Sequence, residues 1–178
     1  MEVRPLFEYY RDKRPVWAPD LPGFGISDRL ALNYTNILYS RWLAEWLGSL
    51  PAAADVIALS LTGEFVARAI LEHDANVRSL TLISPTGMGA KGVPSAVGSR
   101  VERILGSKWV GPQLFKALTV KASIRWFLGQ AFVGPTPEDL INHAWETSRK
   151  PGAHWAPLKF LTFSLFTEQA ISRLYSRL

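Results

Sequence analysis

The chain has 178 residues, 48% of them hydrophobic and 20% charged, an ordinary balance for a folded globular protein and enough length for a substantial core. It contains no cysteine, which excludes disulfides and thiolate metal sites and makes a reducing, cytoplasmic setting the expectation. The net charge of +5 is uneven, with 8 Lys+Arg against 10 Asp+Glu in residues 1–87 and 12 against 5 in residues 88–178, but the basic residues form no dense run, so a solvated helical face is favoured over a nucleic-acid or membrane surface.

No apolar run approaches the roughly 20 residues that span a bilayer. Met1-Glu2-Val3-Arg4-Pro5 lacks the apolar centre of a signal peptide. From Arg4 to Asp12 the spacing of Leu6, Phe7 and Tyr10 predicts a helix. A strand is expected at Val16-Trp17-Ala18, then a turn-rich loop from Pro19 to Asp28. Thr35 or Asn36 is positioned to cap a helix that runs to Leu47 and stops at Gly48. Val56 to Leu59 reads as a short buried strand, Leu61 to His73 as a helix with Phe65, Ala69 and Ile70 on its apolar side, and Val77 to Ile83 as a third strand. Strands alternating with helices imply a parallel sheet.

After Pro85 the character changes. Gly87, Gly89, Gly92, Pro94 and Gly98 make a flexible stretch, and helical patterns follow at residues 99–105, 112–120 and 123–131. Thr136-Pro137-Glu138-Asp139 predicts a strong helix start, running to about Arg149. Thr167 to the end reads as a last helix.

The chemistry centres on Asp55-Val56-Ile57-Ala58-Leu59-Ser60-Leu61-Thr62-Gly63-Glu64. A strand turning sharply into a helix, with a serine at the turn, is the layout of a nucleophile elbow. The turn lifts the hydroxyl above the sheet and sets the Leu61 N–H where it can stabilise an oxyanion. The usual glycines two before and two after the serine are Ala58 and Thr62 here, with Gly63 one place later. A second reading makes Ser60 simply the N-cap of the helix.

Two flanking segments point the same way. Asp20-Leu21-Pro22-Gly23-Phe24-Gly25-Ile26-Ser27-Asp28 resembles the D-x-P-G-x-G-x-S-D loop of α/β-hydrolases, and Val77 to Pro85 resembles the strand after the nucleophile helix in that family. The chain thus resembles a serine-type α/β-hydrolase with a helical cap, apparently truncated at both ends. The resemblance implies an α/β fold: a partial parallel sheet flanked by helices in residues 1–89, carrying the elbow, followed by an all-α cap or lid in 90–178. It also implies hydrolysis of an ester, amide or related carbonyl bond, with Ser60 as nucleophile and the Leu61 N–H as oxyanion donor. An aspartate-nucleophile activity is disfavoured because the elbow holds serine.

In this family a serine is activated by a histidine that an acid orients, and both follow later strands. Neither is found, and the His-Gly loop that supplies a second oxyanion N–H is missing, so the chain is expected to be inactive alone. Ser84-Pro85-Thr86-Gly87 offers no acid at the alternative position. His73 reads as a helix-end histidine, roughly 20 Å from Ser60 at about 1.5 Å per residue. His143 lies about one turn from Glu146 and reads as cap surface or packing. His154 and Trp155, in a loop expected from Pro151 to Pro157, are weak candidates for a substrate pocket.

The three histidines fit no metal-ligand spacing, and no metal or cofactor is expected. Asp20 and Asp28 read as loop organisers rather than acids. Gly23 and Gly25 lack the third glycine of a dinucleotide site. The four tryptophans after residue 88 suit an apolar acyl substrate or plain packing. A small apolar or acyl substrate is the expected partner, with neither nucleic acid nor a membrane span, and the oligomeric state is open. The alternative is a non-catalytic hydrolase-like fragment or module that binds a partner or carries an apolar ligand.

Overall fold

The structure, a computed structural model, describes residues 3–89, 96, 98–107 and 109–178. In chain order the elements are α1 (Arg4–Tyr10), α2 (Asn36–Gly48), β1 (Ala54–Leu59), α3 (Thr62–His73), β2 (Val77–Ile83), α4 (Ser99–Leu105), α5 (Val110–Leu118), α6 (Lys121–Gly129), α7 (Glu138–Ser148), α8 (Trp155–Leu161), α9 (Ala170–Arg173) and a closing 3-10 turn (Tyr175–Arg177). By contacts they form two compact units: residues 1–32 with 100–158, and residues 33–99 with 159–178. The expected boundary near residue 89 divides the chain by family role, whereas these units interleave. Gly92 and Pro94 of the flexible stretch lie outside the described residues.

In the second unit, β1 and β2 pair in parallel, with Val56 opposite Leu80, Ala58 opposite Leu82 and Leu59 opposite Ile83. The helix α3 connects them, as a parallel pair requires. Its Phe65, Val66 and Ala69 are buried, and a side chain at Gly63 would meet Leu82 Cδ2 at 2.9 Å, so α3 covers the Leu82 face of the ladder. The opposite face is open among the described residues: Asp55, Ile57, Ser79, Thr81 and Ile83 are all exposed.

The helix α2 packs on α3. Thr35 caps it, its hydroxyl accepting from Leu38 N–H at 3.1 Å, as its sequence predicts. Tyr39, Leu43 and Leu47 recur every four residues and are buried. The Tyr39 ring stacks between Tyr34 (centroids 6.0 Å apart) and Phe65 (4.7 Å). Burial, then the neighbouring Tyr34, raises the ionisation of the Tyr39 phenol far above its ordinary value. Each fully buried aromatic of this kind contributes about 1.5–3 kcal/mol.

In the first unit, Arg4 bridges Glu8 and Asp139, both at 2.6 Å, and Arg125 pairs with Glu138 at 2.7 Å. Phe115, Ala153 and Leu158 form a buried cluster. The loop from Pro19 to Asp28 is organised by Asp20. Its carboxylate accepts from Ile26 N–H at 2.8 Å, and its carbonyl accepts from the Ser27 hydroxyl at 2.6 Å. A β-carbon on Gly25, at φ +50°, would collide with the Asp20 carboxylate, so glycine is required there.

Four expectations differ from the structure. Val16-Trp17-Ala18 forms no strand: no ladder partner reaches it among the described residues, and Trp17 is 48% exposed. Gly48 ends α2 as its last helical residue, and Ser49 follows in the right-handed region rather than a left-handed stop. Residues 155–161 are helical rather than loop, with Pro157 in the first turn, where its missing N–H costs nothing. The last helix starts only at Ala170, after a left-handed Gln169 (φ 57°) and a Thr167 N–H committed to a side chain described below, and it breaks at Leu174 (φ −123°, ψ −69°) before the 3-10 turn.

Candidate active site

The turn between β1 and α3 is tight. Ser60 sits at φ 54°, in the left-handed region that a residue with a β-carbon enters only at a cost of about 1–2 kcal/mol. Its N–H continues the ladder, donating to Ile83 O at 2.9 Å, and its carbonyl accepts from Gly63 N–H at 3.0 Å. Leu61 is already in helical geometry at φ −60°, ψ −28°. The chain therefore passes from strand to helix through one strained residue, and that residue is exposed.

Leu61, not Ser60, occupies the N-cap position of α3, and no side chain caps the helix. Among the described residues the Ser60 hydroxyl makes no hydrogen bond, so it is not consumed as a cap. The Leu61 N–H likewise donates to no described acceptor. Both groups stand at the positive end of a 12-residue helix, where developing negative charge is favoured. Gly63 explains the displaced motif: it supplies the close helix–strand crossing against Leu82 that the usual glycine supplies one position earlier.

The neighbouring strand ends in the same way. Ser84, directly after β2, is exposed and left-handed at φ 43°. Ser84-Pro85-Thr86-Gly87 holds no acid, and two strained serines side by side carry no sequence signal beyond the turn-forming Ser84-Pro85.

One turn into α3, Glu64 is 1% exposed. Its carboxylate accepts from the Thr86 hydroxyl and, at 2.7 Å, from Thr167 N–H. The Tyr175 hydroxyl donates to Thr86 O at 3.1 Å. Burial raises the Tyr175 phenol, its hydrogen bond to Thr86 opposes that, and the Glu64 charge reinforces it. Arg68 adds a bond to the Thr167 hydroxyl at 3.2 Å. The contacts that bury Glu64 lie 22 and 103 residues away and leave no local signature in the sequence.

The histidines are distributed as follows. His73 is the only one in the elbow's unit. Its Nε2 lies 3.1 Å from the fully buried Ser40 hydroxyl, which itself donates to Ile37 O at 3.1 Å. The Ser40–His73 pair braces α2 to α3. His143 lies in α7 of the other unit, with no hydrogen bond to Glu146 among the described residues. His154 and Trp155 also belong to that unit, their rings 4.2 Å apart. Burial holds the His154 imidazole below its ordinary pKa, and its Nε2 is buried without a described partner. Among the described residues no three His, Asp or Glu are grouped as a metal site requires, and no helix is long and apolar enough to cross a membrane.

A sequence profile described as the alpha/beta hydrolase family matches residues 2–177. No curated protein and no solved structure matches significantly.

Proposed function

Because this chain belongs to the alpha/beta hydrolase family, we propose that it carries the nucleophile site of a serine hydrolase acting on an ester, amide or related carbonyl bond. Ser60 Oγ attacks the carbonyl carbon, the Leu61 N–H holds the resulting oxyanion, and the carbonyl–leaving-group bond then breaks. The Ser60 proton passes to a base and on to the leaving group, and water releases the acyl group. Within this reading residues 1–89 act as core and residues 90–178 as lid; every described element after residue 98 is helical. A small apolar or acyl substrate suits that lid.

The observation that carries the reading is the exposed, strained Ser60 whose hydroxyl has no hydrogen bond among the described residues, beside a Leu61 N–H that has none among them either. Among the described residues of the elbow's unit the one histidine is His73, and its Nε2 pairs with the Ser40 hydroxyl at 3.1 Å. Labelling with a fluorophosphonate followed by peptide mass spectrometry tests the proposal. The expected result is slow labelling confined to Ser60 and lost in Ser60→Ala. Adducts only at other residues, or undiminished labelling of Ser60→Ala, would contradict it.

A non-catalytic binding module is the second reading. The open face of the β1–β2 ladder favours it, since Ile57 and Ile83 are 37% and 36% exposed beside strand edges unpaired among the described residues. Light scattering across a concentration series tests it: association that Ile57→Lys abolishes supports it, and a monomer at all concentrations counts against it.

A further inference from the structure

We propose that the first unit, residues 1–32 with 100–158, binds a small organic monocarboxylate with an apolar tail, of hexanoate or benzoate size, in a cavity between α5 and the segment Ser148–His154.

The cavity has a volume of about 260 Å³. That is just below the range of drug-sized ligand pockets, roughly 300 to 1,000 Å³ and mostly apolar with a few polar groups, and so suits only a small ligand. Its apolar wall is Pro112, Phe115, Pro151 and Ala153. Phe115 and Ala153 also belong to the buried cluster with Leu158, so this wall is a fixed part of the core. Its charged lining is of one sign: Lys116 from α5, with Arg149 and Lys150 after α7, and no carboxylate among the described lining residues.

Arg149 is held in place. Its guanidinium donates to Thr119 O at 2.6 Å and lies 5.5 Å from the Trp145 ring centroid. A preordered cation loses little entropy when an anion arrives. Three cations beside an apolar wall repel a cationic ligand and give a neutral one no compensation. A phosphate or sulfate would leave the apolar wall without a partner. A carboxylate on a short hydrocarbon satisfies both parts at once: the head meets the lysines and Arg149, and the tail meets Phe115 and the prolines. This site does not depend on the chemistry of Ser60.

The test is calorimetric titration of the full 178-residue chain with sodium hexanoate, and in parallel with hexanol, hexylammonium, acetate and inorganic phosphate. The expected result is saturable one-site binding of hexanoate. Each of the other four should bind at least about tenfold more weakly, and added salt should weaken hexanoate binding. The double variant Lys116→Gln/Lys150→Gln should lose roughly tenfold in affinity with an unchanged melting temperature. Ser148→Phe, which fills the cavity from its rim, should abolish binding. Ser60→Ala should bind hexanoate as the parent does. Absent or non-saturable hexanoate binding, equal affinity for hexanol or phosphate, or an unaltered affinity in both cavity variants would overturn the proposal.

Discussion

At the scale of single residues, Ser60 is held in a backbone conformation that its own β-carbon disfavours. Glycine has no such penalty, so Ser60→Gly is expected to stabilise the chain by about 1 kcal/mol in urea unfolding while abolishing phosphonate labelling. Unchanged or reduced stability would mean that the turn is not strained. His154 makes a second prediction. Its folded pKa lies below its unfolded value because burial disfavours the charged form. The unfolded chain therefore binds the proton first, and stability is fully present above the ordinary histidine range and declines as pH falls through it. Urea midpoints measured above and below that range should show this decline in the parent and a smaller one in His154→Phe; equal slopes would remove His154 as the cause. The sequence made Ser60 legible because a β-branched run, a serine and a helical pattern fall in one short window. It made Asp20 legible as a loop organiser because Asp, Gly and Ser crowd one loop. Ser84 was not legible, since nothing in Ile83-Ser84-Pro85 marks a positive φ.

At the scale of elements, Glu64 ties three segments together: α3, the loop after β2, and the stretch before α9. Glu64→Ala would leave the Thr86 hydroxyl and the Thr167 N–H without acceptors in a buried place. At about 1–3 kcal/mol for each unsatisfied group, and allowing for the charge that no longer has to be buried, the expected loss is about 2–4 kcal/mol in urea unfolding. Glu64→Gln keeps a carbonyl oxygen and should lose clearly less. Equal losses in the two variants would show that the charge, not the acceptor geometry, holds the segments. The elements themselves were readable where periodicity and caps agreed. Thr35 caps α2, and β2 occupies Val77–Ile83 as the apolar run predicts. They were misread where tertiary contacts decide: Val16–Ala18 has strand-like residues but no ladder among the described residues, and the C-terminal helix starts late because Thr167 N–H is pinned to Glu64.

At the scale of the whole molecule, the family assignment rests on a match to residues 2–177, while the β1–α3–β2 crossover positions Ser60, the proposed nucleophile. The sequence carried the family through three ordered segments; the interleaving of the contact units at residues 32, 99 and 158 was not readable, because it depends on which helices meet in space. The proposal that residues 1–89 and 90–178 act as core and lid concerns role, and substrate assays on lid variants would address it.

The chain has no cysteine, so Ser60→Cys introduces a single thiol at the turn and needs no separate base to react. Its ionisation, followed by the pH dependence of alkylation with iodoacetamide, tests whether position 60 is presented as a nucleophile at the α3 N-terminus. The expected result is a thiol that titrates below the ordinary cysteine value of about 8.5 and is acylated by p-nitrophenyl acetate. A thiol that titrates at or above that value and resists both reagents would contradict the account.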